Sequence, residues 1–175
     1  MANNNTSTVK VTKSCTLVDT VMQVNDTWRI VSVVATMPRL EITIYGKPAT
    51  QRPRIKAGGR GMYNISAVNH WKDNVKTAAF LASREQQVDV PIPAGKPVRA
   101  DYNFYLPWQK NVSKKKAESV GGHTEKPDLK NLLSHTEDAL SEADIWTDDN
   151  QVDTIILQKW RVPRGQERTE IVISW

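Results

Sequence analysis

Three aspartates in the last third of the chain are the residues best suited to chemistry. Asp128 follows Lys126-Pro127 and precedes a leucine-rich segment, and Asp148-Asp149 come twenty positions later, before a β-like run. Carboxylates are hard oxygen ligands, and Mg²⁺ typically takes one or two of them together with phosphate and water. The pattern therefore predicts a magnesium site, provided that the intervening segment returns the chain to the same place.

Each aspartate also has an ordinary structural interpretation. Asp128 stands where a helix is expected to begin, and Asp is a common N-cap residue there. Asp148-Asp149 is equally compatible with a polar turn before a strand. Both interpretations stay open at this point, because spacing alone does not show that the carboxylates meet.

The segments around these aspartates have apolar residues at spacings that are typical of helices and strands. Apolar residues recur every three or four positions from 129 to 143, which predicts an amphipathic helix, and a similar stretch predicts a first helix from Ser66, as its cap, to about Ala82. Alternating runs predict strands at 40–46, 98–106, 152–160 and 169–175, with 98–106 in the centre, and residues 109–126 are expected to form a long polar loop. The order β-α-β-α-β-β predicts an α+β domain with a mixed β-sheet and two main helices.

The first 38 residues differ in character from the rest. Residues 1–8 are rich in Asn, Thr and Ser, which predicts a disordered start, and short β-like runs follow at 17–24 and 28–34 with a plausible hairpin turn at Asn25-Asp26. We therefore interpret residues 1–38 as an N-terminal extension, partly disordered and partly β, and 39–175 as the main domain.

Charge is distributed unevenly along the chain. The net charge is +5, but residues 41–120 carry fourteen basic and six acidic residues, whereas 121–175 carry six and eleven. A basic surface suits a polyanionic partner such as DNA, and acidic groups beside it suit metal-assisted chemistry on that partner. An unevenly charged solvated surface is the alternative. The candidate nucleic-acid-binding residues are Arg52, Arg54, Lys56, Arg60, Lys110, Lys114, Lys115 and Lys116.

Other classes of protein fit poorly. No apolar run approaches the roughly 18 residues of a membrane-spanning helix, so no membrane association is expected. Cys15 is the single cysteine, which rules out an intramolecular disulfide and a cysteine-rich zinc site. We expect an intracellular, DNA-associated protein, cytoplasmic if it is encoded by a bacterium or phage.

Several segments, in order, resemble the RusA family of Holliday-junction resolvases. The best matches are Lys126-Pro127-Asp128-Leu129-x-Asn131-Leu132, then Asp138-Ala139-Leu140, then Trp146-x-Asp148-Asp149-x-Gln151-Val152. The segment Glu41 to Pro48 with Arg52-Pro53-Arg54 is similar to the family's opening strand and loop. The resemblance covers about residues 40–175.

The resemblance implies a homodimeric, Mg²⁺-dependent endonuclease that binds and nicks four-way DNA junctions in recombination and repair. It implies that Asp128 and Asp149 hold the metal and take part in catalysis. Asp148, beside Asp149, is our own further candidate for a metal ligand. The family pattern has an aspartate where this chain has Lys130 and a lysine where it has Ser134.

The exchange at 130 has a large electrostatic consequence. Charges of +1 and +2 about 4 Å apart repel by roughly 8 kcal/mol at an effective dielectric constant of about 20, an upper figure because a lysine can turn into solvent. Either Lys130 takes over the electrophilic role of the missing lysine, with Asp148 or Glu125 helping to hold one metal, or the protein binds junctions without cleaving them. A third alternative is a structural protein assembled through residues 1–38.

Overall fold

The computed structural model describes the backbone of residues 15–24, 27–49, 54–55, 62–63 and 66–175, and the side chains of 37–49 and 66–175. The chain divides into two compact units, Met1–Pro38 and Arg39–Trp175. In the first unit, strand β1 (Cys15–Val24) pairs antiparallel with strand β2 (Thr27–Thr36). The two predicted N-terminal strands are thus confirmed, whereas the predicted turn at Asn25-Asp26 and the disordered start lie outside the described residues.

The second unit is α+β, as the order of the elements in the sequence predicted. Its strands and helices, in chain order, are β3 (Arg39–Tyr45), β4 (Arg54–Ile55), β5 (Met62–Tyr63), α1 (Ser66–Glu85), β6 (Val98–Pro107), α2 (Lys114–Ala117), β7 (Gly121–Gly122), α3 (Leu129–Glu142), a 3₁₀ helix (Asp149–Gln151), β8 (Val152–Val162) and β9 (Arg168–Ser174).

Five strands form one mixed sheet in the order β3-β9-β6-β8-β7. Strands β6 and β8 run parallel, and the other neighbouring pairs are antiparallel. Strand β6 lies in the middle, as its alternating sequence predicted. The short strands β4 and β5 form a separate two-stranded ribbon.

The core lies between one face of this sheet and helices α1 and α3. Side chains of β6 alternate in burial along the strand, and Tyr102 and Phe104 are fully buried. Trp71 of α1 donates a hydrogen bond from Nε1 to Oγ1 of Thr136 in α3 at 3.2 Å, which joins the two helices inside the core. Burial of such side chains removes apolar surface from water and is the main force that holds the layers together.

Ion pairs join the same two helices at their solvent edge. Lys72 of α1 contacts Asp138 at 3.2 Å and Glu142 at 2.8 Å, both in α3, and Lys76 contacts Glu142 at 3.3 Å. Each pair contributes little to stability because its acidic partner is half exposed. Together they align the acidic side of α3 with α1.

Three details of the sequence interpretation need correction. Residues 109–126 are not one long loop, because they contain helix α2 and strand β7. Helix α1 continues beyond Ala82 to Glu85, and Leu81, which we had placed on its apolar side, is 51% exposed.

Among the described residues, no helix is long and apolar enough to cross a membrane.

Candidate active site

Asp128 occupies the N-cap position of α3 but does not act as a cap through its side chain. Its φ and ψ are −73° and 144°, and its carboxylate accepts no capping hydrogen bond from the first turn of the helix, whose residues are all described. The backbone carbonyl of Asp128 accepts from the amides of Asn131 and Leu132 instead. The exposed carboxylate therefore remains available for a ligand, and a negative charge there is favoured by the helix dipole.

Lys159 of β8 holds the loop that carries Asp128. Its ammonium donates to the backbone carbonyl oxygens of Glu125 at 2.7 Å and Pro127 at 2.9 Å. Sequence reasoning missed this residue, because nothing in the local pattern of β8 shows that a lysine on it reaches a loop more than thirty positions earlier. Lys159 thereby fixes the position from which helix α3 begins.

Replacing Lys159 by Met is expected to lower the free energy of unfolding by about 2 kcal/mol, because two carbonyls lose a charged donor. The melting temperature of a chain of this size should then fall by about 4–8 °C. The matched control is Lys130→Met: Lys130 is exposed and makes no ion pair or hydrogen bond with any described residue, so the effect should stay within about 0.5 kcal/mol. Thermal unfolding followed by circular dichroism measures both, and equal losses would show that Lys159 does not hold the loop.

Asp148 and Asp149 play different parts in the 3₁₀ helix. Asp148 is its N-cap: Oδ1 accepts from the amide of Asn150 at 2.9 Å, and the side chain of Gln151 accepts from the amide of Asp148 at 3.0 Å. Asp149 is the first residue of the helix and is exposed. The turn interpretation is therefore confirmed for Asp148, whereas the Asp149 carboxylate is not used by the cap.

A second set of hydrogen bonds anchors this 3₁₀ helix to the rest of the domain. The Gln151 amide group donates to the carbonyl oxygens of Pro93 at 2.8 Å and Lys96 at 3.2 Å. Ile92 and Trp146 form a parallel β-bridge just before it. These contacts join the segment that carries Asp149 to the turn that leads into β6.

Glu137 is an acidic residue that sequence reasoning did not select. Its carboxyl is half-buried in α3, and its pKa is raised by burial and then by the negative charges of Asp149 and Asp138. Lys130, Ser134 and Glu137 are spaced by four and three positions, so they lie along one side of the helix. Glu137 is thus the carboxylate of α3 on which the charge of Asp149 acts.

The structure does not assemble these carboxylates into a complete metal centre by itself. Over the residues that it describes, no group of three or more His, Cys, Asp or Glu side chains is arranged to hold a metal ion. Asp128 lies before the first residue of α3, whereas Asp149 lies beyond its last residue. The prediction that Asp128, Asp148 and Asp149 form one site is therefore neither confirmed nor contradicted.

Glu125 is engaged elsewhere. It accepts hydrogen bonds from the Arg161 guanidinium, at 2.8 Å, and from the side-chain amide of Gln109. Arg161 is buried and also donates to the carbonyl of Pro107 at 2.6 Å. The interpretation of Glu125 as a helper for the metal is therefore weakened, because removing it from Arg161 would leave a buried charge without its acidic partner.

His123 lies close to these cations and is expected to make stability depend on pH. It is 6% exposed, and neither ring nitrogen has a hydrogen-bond partner among the described residues. Burial, followed by the positive charges of Arg161 and Lys159, lowers its pKa to about 4 from an ordinary value of 6.5. The folded protein therefore binds fewer protons here than the unfolded chain does between these two values.

Stability from His123 should be fully present above pH 6.5 and should be lost as the pH falls towards 4. Urea unfolding at pH 7 and pH 5 is expected to show a smaller free energy at pH 5. In His123→Leu the free energies of unfolding at pH 7 and pH 5 should differ less than in the unmodified protein, because the titrating group is gone. An unchanged difference would assign the pH dependence to the carboxylates instead.

The basic residues fall into two groups. Lys110, Lys114, Lys115 and Lys116 are exposed, and three of them make up most of α2. The Lys116 ammonium lies 4.9 Å from the centre of the Trp108 ring, whose Nε1 donates to the Ser119 carbonyl at 2.7 Å. Arg52, Lys56 and Arg60 lie outside the described residues, and only the backbone of Arg54 is described.

An α+β domain with exposed carboxylates before α3 and in the 3₁₀ helix, and with a lysine-rich segment on the same chain, fits the class of proteins that process nucleic acids. Within that class, the family model of endodeoxyribonuclease RusA matches residues 46–174, which is most of the chain. The chain therefore belongs to the RusA family of endodeoxyribonucleases, and the resemblance drawn from the motifs is confirmed.

A relative from Bacillus subtilis (strain 168) carries the name "Uncharacterized protein YqaN". It is 32% identical over 146 residues, which cover 78% of this chain and 96% of that protein. The similarity therefore extends over nearly the whole length of the relative.

Proposed function

We propose that this protein is a structure-selective DNA endonuclease that resolves four-way junctions by Mg²⁺-dependent phosphodiester hydrolysis. Membership of the RusA family supports the endonuclease activity and the branched substrate. The observation that carries the proposal for this chain is the Asp128 carboxylate, which stands at an N-cap position in the family motif and yet is not used as a cap. A side chain with no structural task at a helix start is suited to hold a ligand.

The donor chemistry fits a hard divalent cation. Asp128 and Asp149 are both exposed carboxylates, and Mg²⁺ is commonly held by one or two such groups with phosphate and water completing its shell. The negative charge of Asp149 disfavours a second charge on Glu137, and a nearby cation would relieve this repulsion. Asp148 stays a proposed helper through the oxygen that the cap does not use.

When bound, the ion would supply an activated water and stabilise the charge that develops on the scissile phosphate. Lys130 is exposed and unpaired among the described residues, so its ammonium is free to contact a phosphate oxygen. Lys110 and the three lysines of α2, with the arginines and lysine of 52–60, are proposed to hold the junction arms by phosphate contacts, which give affinity without base recognition. A two-fold homodimer would match the symmetry of the junction.

The direct test is cleavage of a labelled mobile four-way junction in Mg²⁺, with a linear duplex of the same sequence as control. Paired nicks at symmetric positions in the junction, and none in the duplex, are expected. Equal cleavage of both substrates would argue against structure selectivity. Absence of cleavage in Mg²⁺ and in Mn²⁺ would remove the enzymatic proposal.

A second candidate function is a junction-binding protein that does not cleave. Two observations favour it: a positive charge at Lys130 where the family pattern has an aspartate, and the lack of a three-ligand metal group among the described residues. It predicts tight, salt-dependent binding to junctions without nicks. Filter binding at several salt concentrations, read beside the cleavage assay, separates the two functions.

Residues 1–38 remain a proposed extension of a nuclease domain formed by 39–175. We further propose that the protein acts on DNA in recombination and repair inside the cell. The test is removal of residues 1–38. If residues 39–175 are the DNA-binding nuclease domain, the shortened chain should still bind four-way junctions.

A further inference from the structure

The five-stranded sheet has a second face, on the side away from α1 and α3. Along β3, β6 and β9 every second side chain is buried in the core, and the side chains between them are half-buried or exposed. Tyr45, the last residue of β3, is 78% exposed on this second face. The end of the face at which Tyr45 lies is therefore open to a binding partner.

Three aromatic side chains and one arginine form a row across the second face. Arg168 of β9 is paired with Tyr45 of β3 on one side and with Tyr105 of β6 on the other. Tyr105 is paired in turn with Trp160 of β8. Residues directly opposite each other on neighbouring strands point to the same face of a sheet, so these four side chains lie side by side. We call the four residues the aromatic row.

Arg168 is held in place within the aromatic row before any ligand binds. Its guanidinium carbon lies 3.9 Å from the centre of the Tyr105 ring, and its Nε donates a hydrogen bond to Glu170 at 2.6 Å. Its Nη1 donates to the backbone carbonyl of Gln166 at 3.2 Å. Because these contacts already fix the side chain, little conformational entropy is lost when a planar group stacks on it.

The loops at the same end of the sheet supply positive charge. Lys47 follows β3, Lys110 follows β6, and Arg164 lies between β8 and β9. All three are exposed, and none forms an ion pair with a residue that the structure describes. The one carboxylate in the described parts of these loops is Glu167, which accepts a hydrogen bond from the amide of Gly165. The net charge beside the aromatic row is therefore positive, which suits phosphate groups.

The arginines at the other end of the second face are neutralised within their own strands. Arg39 pairs with Glu41 at 2.9 Å, and Arg99 pairs with Asp101 at 3.0 Å. On this face, cations without an acidic partner are therefore concentrated at the end where the aromatic row lies. Flat side chains beside free cations match a ligand that carries both planar groups and negative charge.

We infer that the aromatic row binds unpaired bases of single-stranded DNA, and that Lys47, Lys110 and Arg164 contact its phosphates. Bases stack on aromatic rings and on guanidinium planes, and such stacking tolerates any sequence because every base has a flat face. In a duplex the bases stack on one another, so a single strand is the partner that fits. The inference goes beyond the proposed function by naming a second DNA structure, and it rests on that proposal only for the choice of DNA.

Binding of a labelled oligothymidine of about 15 nucleotides to the full chain tests the inference. Fluorescence anisotropy in EDTA measures the affinity in the absence of a divalent ion. The unmodified chain should bind, and Tyr45→Ala should weaken binding at least about fivefold, because one stacking surface is lost. Tyr45→Phe, which keeps the ring, should bind like the unmodified chain.

The matched control is Phe80→Ala, which removes an aromatic side chain on α1 that is 59% exposed. Its affinity for the oligothymidine should equal that of the unmodified chain, because Phe80 is not in the aromatic row. Equal affinities of Tyr45→Ala and Phe80→Ala, or no binding by the unmodified chain, would overturn the inference.

An abasic oligomer of the same length separates stacking from phosphate contacts. It keeps the phosphates and lacks the bases, so it should bind more weakly than the oligothymidine, and Tyr45→Ala should not weaken it further. Equal binding of the two oligomers would mean that only phosphates are contacted. Sedimentation tests the other occupant of the face: a change of oligomeric state in Tyr45→Ala, without a change in oligothymidine binding, would assign the row to a contact between copies of the chain.

This inference and the proposed function fail separately. A chain that does not cleave four-way junctions, but binds the oligothymidine through Tyr45, would retain the single-strand site and lose the enzymatic function. A chain that cleaves junctions, and whose Tyr45→Ala variant binds the oligothymidine as the unmodified chain does, would retain the function and lose the site.

Discussion

Asp149→Asn is expected to reduce the rate of four-way junction cleavage in Mg²⁺ by at least about 100-fold, which corresponds to about 2.7 kcal/mol of transition-state stabilisation. The substitution keeps the size of the side chain but removes the charge that a divalent ion needs. Because Asp149 is exposed and does not form the cap, the fold should be unaffected. Single-turnover cleavage measures the rate, and junction binding without Mg²⁺ should change by less than about threefold.

The matched control is the neighbouring substitution Asp148→Asn. Asn is as good an N-cap as Asp, so the hydrogen bond to the Asn150 amide should persist while the same unit of charge is lost. We expect a much smaller loss of cleavage than in Asp149→Asn. Equal losses would mean that both carboxylates hold the metal, and full activity of Asp149→Asn would place the metal elsewhere.

Asp148→Ala adds a separate measure of the cap. This substitution should lower the free energy of unfolding by about 1 kcal/mol, because the 3₁₀ helix loses its side-chain acceptor.

The double change Lys130→Asp/Ser134→Lys is expected to raise junction cleavage by at least about tenfold at limiting Mg²⁺. It removes a positive charge beside the proposed metal and supplies a further carboxylate within the first turn of α3. Both positions are exposed, so the fold should tolerate the exchange. The Mg²⁺ concentration for half-maximal cleavage should fall, and calorimetric titration with Mg²⁺ reads the same gain in affinity without any cleavage.

The control for this variant is Lys130→Ala, which removes the repulsion without adding a ligand. An intermediate gain is expected from relief of repulsion alone. If the unmodified chain cleaves and both variants are slower, Lys130 itself contacts the reacting phosphate, and the exchange at 130 is an adaptation of the site. If only the double variant cleaves, the unmodified chain is the junction-binding protein of the second candidate function.

Short-range patterns in the sequence were sufficient for most of the fold. Apolar residues alternate along β6 and recur every three or four positions along α3, and these spacings predict which side of each element is buried. Such patterns involve only residues a few positions apart, so the sequence shows them directly. The same reasoning failed for Leu81, because the burial of a helix side depends on what packs against it. It also failed for 109–126, where a polar composition concealed α2 and β7.

The candidate site shows the same division between local and distant determinants. The motifs around Asp128 and Asp149 were sufficient for the family and for the choice of these aspartates, since both depend on residue types in a fixed order. The cap at Asp148 is also local, since it is made with Asn150 and Gln151, two and three positions later. Only the tertiary structure decided that the negative charge of Asp149 acts on the carboxyl of Glu137. It also decided that Lys159 holds the loop before α3 and that β7 pairs with β8 at Trp160 and Arg161. These properties depend on contacts between segments far apart in the chain, and a local pattern carries no record of such contacts.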